Sequence, residues 1–198
     1  MMKAALINLS LFKLGWLACV LLAASGRLGA ASAVAGIVVV LHLARVAVPV
    51  KEALFISIAA LIGLAWESVV MSTGLLQYSA SGAAGALPPH WIVAIWALFA
   101  TTIGHGLEWI KRNWMLCAGF GAVGGPLAFL SGSATGAVTF TDPLAAMALI
   151  GLGWSLLLPL LAWISDTIVD SPFLEPAARP ATVPARPRKL AGSERQQV

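Results

Sequence analysis

Charge is the scarcest property of this chain. Only 10% of its 198 residues are Asp, Glu, Lys or Arg, while 60% are apolar. A soluble domain of this length needs a polar shell, and there is too little here to build one. Cysteine is equally sparse. Cys19 and Cys117 both fall in apolar stretches, with no CxxC and no Cys/His metal spacing, so they read as buried thiols packing as small apolar groups. The fingerprints of common soluble enzymes are missing too: there is no P-loop, no Gly-x-Ser-x-Gly, no dinucleotide-binding glycine motif and no His-Glu-x-x-His. The net charge of +4 sits mostly in loops and the C-terminal stretch, which leaves no basic folded face for nucleic acid.

Long apolar runs take the place of all these. A bilayer core about 30 Å thick needs a helix of roughly 20 apolar residues. Runs approaching that length occupy Ala5 to Ala24, Leu28 to Val46, Ala53 to Met71, Trp91 to Ile110, Asn113 to Phe129 and Pro143 to Ile164. The first run follows Lys3 and ends in Ala23-Ala24-Ser25, which also resembles a secretory signal. Lys13 in its middle argues for a retained helix, since a signal core is normally uncharged. Between the runs lie a charge-free loop from Ser72 to Pro89 and a Gly/Ser/Thr loop from Ser131 to Asp142. Pro143 is placed for a first helical turn. From Asp166 onward, prolines alternate with Ala, Arg and Lys, a composition that cannot bury enough apolar surface to order itself.

The expectation is an all-α membrane protein. Residues 1–165 form a polytopic bundle of about six transmembrane helices, and residues 166–198 form a Pro/Arg-rich disordered tail. Lys3, Arg45, Lys51, Lys111, Arg112 and the tail fall on one side, with only Arg27 on the other. That bias puts both termini in the cytoplasm of a bacterial inner membrane. An inverted three-plus-three repeat is a further candidate feature: Ala60-Leu-Ile-Gly-Leu-Ala-Trp66 matches Ala148-Leu-Ile-Gly-Leu-Gly-Trp154. Chance agreement in a chain rich in Ala, Leu and Gly is the competing explanation.

Polar groups in hydrocarbon are costly, so each one is a candidate for function. On the fourth run Thr101, His105, Glu108 and Arg112 follow one stripe of a helix. With His42 and Arg45, which end the second run, they form a polar cluster toward the cytoplasmic face. His105 and Glu108 can act as base and carboxylate, or bind a metal as an i, i+3 couple with His42 the obvious further ligand; one His-x-x-Glu is weak, and neither metal nor cofactor is expected. Glu108 also stands four residues before Arg112, the spacing of a helical ion pair. Lys13 and Glu67 are the charged residues within the spans; Glu67 either pairs with Lys13 or, unpartnered, carries a proton. Gly124, Gly125 and Pro126 mark either a broken helix lining a pocket or a packing kink. Trp91, Trp109, Trp114 and Trp163 read as interfacial anchors, whereas Trp16, Trp66, Trp96 and Trp154 lie deeper.

Asn8-x-x-Leu11-Phe12-x-x-Gly15-Trp16, His42-Leu43, Glu52, Pro89-x-Trp91, Leu98-Phe99-Ala100, His105 and Gly124-Gly125-Pro126-Leu127 recur together in a recognisable pattern. It resembles a family of small bacterial inner-membrane proteins known only as a domain of unknown function, over Asn8 to Ile164. The resemblance implies a multi-pass membrane protein with no established activity. It also implies a lipid-related role, since members are said to be encoded near fatty-acid-modifying methyltransferases. The leading expectation is an accessory membrane protein that binds or handles lipid or another apolar molecule, with membrane lipids as partners. The alternatives are a small secondary transporter and an intramembrane enzyme acting on acyl chains.

Overall fold

A computed structural model describes residues 2–79 and 87–170. Seven helices and two short strands follow one another: α1 Met2–Ala24, α2 Leu28–Leu43, α3 Pro49–Ser72, β1 Leu76–Tyr78, α4 His90–Ile103, α5 Glu108–Lys111, α6 Trp114–Ala134, β2 Val138–Phe140 and α7 Pro143–Ile168. The all-α bundle expected from composition is what forms. Four helices are long and apolar enough to cross a membrane, within α1, α3, α6 and α7. The apolar helices α2 and α4 have 16 and 14 residues. At about 1.5 Å per residue they reach roughly 24 and 21 Å, short of a hydrocarbon core of about 30 Å.

Helix ends follow local chemistry. The side chain of Asn113 accepts from the Met115 and Leu116 amides at the start of α6, and Asp142 accepts from Ala145 at the start of α7. Pro49 and Pro143 open α3 and α7, where a missing N–H costs nothing. After α1, Gly26 adopts φ 77° and the chain reverses into α2.

The structure corrects several expected boundaries. The sequence predicts loops over Ser72–Pro89 and Ser131–Asp142, yet these segments contain β1 and β2, which pair antiparallel with Tyr78 opposite Val138. Three-residue strands are too short to show a period in sequence. Helix α6 runs on to Ala134, and the Ser131 hydroxyl within it bonds back to Leu127 O at 2.8 Å. It also passes through Pro126 without interruption, so Gly124-Gly125-Pro126 is not a helix break. Helix α7 continues to Ile168, so the first residues assigned to the tail belong to the bundle. The disordered tail expected beyond that point, 171–198, lies outside the described residues, as does 80–86 of the loop.

The strand pair fixes the order of the bundle. Because β1 follows α3 and β2 follows α6, both helices end at the same, strand-bearing end. The opposite, polar end then gathers the last turn of α2, the first turn of α3, the end of α4, α5 and the end of α7. The segments of the candidate repeat, α2–α3 and α6–α7, accordingly run in opposite senses. Their packing differs, however: α6 lies along α7, whereas α2 packs on α1 and α4 and barely touches α3.

Tryptophans seated on glycines tie the helices together. A Cβ on Gly63 would lie 2.1 Å from the Trp96 ring, one on Gly153 1.9 Å from the Trp66 ring, and one on Gly125 2.5 Å from the Trp154 ring. Each pair bridges two helices, in the chain α4–α3–α7–α6. Trp96 and Trp154 also stack, with centroids 4.7 Å apart. Trp109, Trp114 and Trp163 are exposed, as anchors require, but Trp91 is buried against Tyr78 rather than placed at an interface.

Candidate functional site

The expected stripe on the fourth span does not exist, because the helix stops. Leu107 N and His105 N both donate to Thr102 O, closing a turn over Gly104 to Leu107. Gly106 is needed there: a Cβ would meet the Leu9 side chain at 2.5 Å. His105 therefore lies in a turn, Glu108 opens α5, and Arg112 caps it, exposed. Among the described residues no ion pair joins Glu108 to Arg112.

The turn aims His105 at a different carboxylate. His105 Nε2 lies 2.8 Å from Glu52 Oε1, and His42 Nε2 lies 3.4 Å from Glu52 Oε2. The two imidazoles meet edge to face at 4.8 Å. His42 and Glu52 are buried, while the His105 side chain is 36% exposed. One carboxylate with two oxygens serves both rings, which can either donate to it or share a cation with it. The cluster backs a cleft of about 660 Å³ between α1, α2 and the turn, which Asn8, Arg45 and Glu108 also line. Arg45 is exposed and donates to Leu41 O. Asn8 donates to Thr101 O at 3.0 Å, and its Oδ1 is buried with no partner among the described residues. Of the sequence candidates, His42, Arg45, His105 and Glu108 thus share one cleft, and Arg112 does not line it.

Beside the cleft, charged side chains fasten the end of α7. Lys111 Nζ lies 2.5 Å from Asp166 and 3.1 Å from Asp170. Burial alone would lower the Lys111 pKa, but the two carboxylates outweigh it and raise the value. The buried Lys51 reaches Val169 O at 3.4 Å.

Glu67 occupies a second polar position, nearer the strand end, and it is fully buried. The expected Glu67–Lys13 pair does not form. Lys13 is exposed, with its ammonium 5.1 Å from the Trp16 ring centroid. Glu67 instead accepts from the Tyr78 hydroxyl on one oxygen and from Trp96 Nε1, at 2.8 Å, on the other. Burial first, then the adjacent carboxylate, push the Tyr78 pKa well above its ordinary value, so the phenol stays a donor.

A second cavity, of about 570 Å³, runs between α1 and α6. These helices share little direct packing: α1 leans on α2 and α4, and α6 on α7. From α1, Leu9, Phe12, Lys13, Trp16 and Val20 face it at helical spacing. From α6, Gly121, Gly124 and Gly125 supply a concave wall, with Trp96 and Trp154 behind it. A Cβ on Gly124 would touch nothing within 4 Å, so that glycine leaves room and not a helix contact. Glu67 and Lys13 are the charged groups among the lining.

The family model described as "Protein of unknown function (DUF2878)" matches residues 5–160. The chain belongs to this family. The match includes His42, Glu52, His105 and Glu67 and the whole lining of the second cavity. No curated protein and no solved structure matches the chain.

Sequence reasoning missed two members of these sites. Glu52 lies between the second and third apolar runs and Tyr78 in the charge-free Ser72–Pro89 segment, so neither stands among the polar groups within the runs. The resemblance pattern carried the signal for Glu52, because it lists His42, Glu52 and His105 together.

Proposed function

We propose that this DUF2878 protein is an integral membrane protein that accepts a lipid acyl chain in the groove between α1 and α6. The observation that carries this reading is the groove itself. It is lined almost entirely by apolar and aromatic side chains, and its volume of about 570 Å³ falls in the range of small-molecule sites. From Leu9 to Val20 the α1 wall spans on the order of 16 Å, a slot suited to an extended chain. Gly124 of α6 keeps it open, and Lys13 offers a cation beside a largely apolar wall. A long Lys stem can carry its charge toward a headgroup.

The polar end carries Arg45, Lys51, Lys111 and Arg112, against Arg27 at the strand end. By the positive-inside tendency the polar end faces the cytoplasm of the inner membrane, and both termini lie there. The protein then acts as an accessory lipid-handling component and needs no reaction of its own.

Cells producing the protein can be fed a palmitate analogue bearing a photoreactive diazirine and an alkyne handle. Irradiation should attach the label to peptides containing Phe12, Trp16 or Phe120, and Gly124→Leu should strongly reduce that labelling at equal protein abundance. Labels spread evenly over the outer faces of α1, α3 and α7, unchanged by Gly124→Leu, would leave the groove without its occupant.

A further inference from the structure

We infer that His42, Glu52 and His105 form a binding site for a divalent first-row transition ion, Zn²⁺ or Fe²⁺. From sequence, His105 and Glu108 make a lone His-x-x-Glu pair, too few donors to hold an ion. The fold brings His42 to His105 and supplies Glu52 in place of Glu108, and that completes a two-histidine, one-carboxylate set.

The geometry suits an ion. One donor atom from each residue lies within 4.8 Å of the other two. Zinc takes imidazole nitrogen at about 2.0–2.1 Å and carboxylate oxygen at about 2.0–2.2 Å, which puts tetrahedral donors roughly 3.3–3.5 Å apart. Of the existing nitrogen–oxygen separations, 3.4 Å from His42 matches that spacing and 2.8 Å from His105 is shorter, each to its own oxygen of Glu52. The three donors are held by three separate elements: the last turn of α2, the first turn of α3 and the tight turn after α4.

A site of this kind keeps one coordination position open, and here the open side is defined. His42 and His105 line the cleft, whereas Glu52 sits behind them. The cleft also contains Asn8, whose buried Oδ1 has no donor among the described residues. A water held by the ion would supply that donor. The donor set contains no sulfur, which favours borderline ions over Cu(I), and imidazole disfavours Mg²⁺ and Ca²⁺. The inference stands independently of the lipid-binding reading, since the two cavities use different residues at the centre of each claim.

The test uses full-length protein purified in mild detergent without a histidine tag. Elemental analysis of protein never exposed to chelator should find zinc or iron in a single copy per chain, and which of the two it finds identifies the ion. After chelation, Co²⁺ titration should give the visible bands of a low-coordinate nitrogen/oxygen site. Zn²⁺ should displace Co²⁺ and bleach those bands. His105→Ala, in a half-exposed turn, should weaken Co²⁺ binding at least about tenfold while the elution profile stays that of wild type. Glu52→Gln, which keeps shape and removes charge, should do the same. Wild-type protein that binds neither Co²⁺ nor Zn²⁺ nor Fe²⁺ at micromolar concentration would overturn the inference, whatever the variants do. So would equal Co²⁺ affinity in wild type, His105→Ala and Glu52→Gln; the cluster would then be a hydrogen-bonded network alone.

Discussion

Glu52 and His105 meet at 2.8 Å although 53 residues separate them. The contact exists because α4 ends early and a glycine-containing turn carries His105 across the polar end toward the first turn of α3. Cutting that contact from the Glu52 side leaves two imidazoles without their shared acceptor. Glu52→Ala should cost about 1–3 kcal/mol, the usual penalty for stranding buried polar groups. Glu52→Gln should cost less, because its carbonyl can still accept. Thermal unfolding in detergent compares the two, and equal losses would contradict the account of the acceptor.

The tryptophan–glycine contacts predict opposite outcomes for neighbouring glycines. Gly125→Ala places a Cβ 2.5 Å from the Trp154 ring, and Gly63→Ala places one 2.1 Å from the Trp96 ring. Each should destabilise by about 1–3 kcal/mol through overpacking. Gly124→Ala meets nothing, and gains up to about 1 kcal/mol of helix propensity. Three melting curves decide the matter. Similar losses at Gly124 and Gly125 would mean that the α6–α7 contact is not the one described.

Glu67 depends on two donors, one of them from a strand. Tyr78→Phe removes the hydroxyl that one carboxylate oxygen accepts from, and Trp96→Phe removes the donor to the other. Each should lower stability, on the order of 1–3 kcal/mol for the stranded oxygen. Glu67→Gln combined with Tyr78→Phe should recover part of the loss, since a single acceptor oxygen, the one Trp96 donates to, is then left to satisfy. A double variant as unstable as the sum of its parts would show that the groups do not act as a unit.

Lys111 supplies a pH-dependent contribution. Its folded pKa is raised above the ordinary 10.5 by Asp166 and Asp170. The stability it adds is therefore fully present below 10.5 and is lost as pH rises through the higher folded value. Both carboxylates are more than half exposed, so the contribution should stay within about 1 kcal/mol. The difference in melting temperature between wild type and Lys111→Met should be constant at neutral pH and shrink only in strong alkali. A difference that already disappears at pH 8 would contradict the pairing.

Much of this fold is written in hydropathy, and much of the site is not. Apolar runs of about 20 residues announce helices by length alone, which is why α1, α3, α6 and α7 were legible. Helix α1 packs Cys19, Val20 and Ala23 into the core. The end of α4 was hidden because Gly104 and Gly106 sit in an apolar run where glycine is common, and a turn there is decided by Leu9 packing across from α1. Once the turn was missed, His105 was matched with its neighbour in sequence, Glu108, in place of its neighbour in space, Glu52. The Glu67–Lys13 pairing failed for a similar reason. Opposite charges suggest a pair, but Trp96 and Tyr78 reach the carboxylate first.

The proposed function requires an acyl chain in the groove between α1 and α6. Native mass spectrometry of protein extracted from its own membrane into mild detergent measures that occupancy directly. Wild type should retain a bound species with the mass of a fatty acid or phospholipid, released at collision energies below unfolding. Gly124→Leu, which fills the groove without disturbing the α6–α7 contact, should appear as bare chain. Wild type that flies bare, or Gly124→Leu that keeps the same bound mass, would contradict the account.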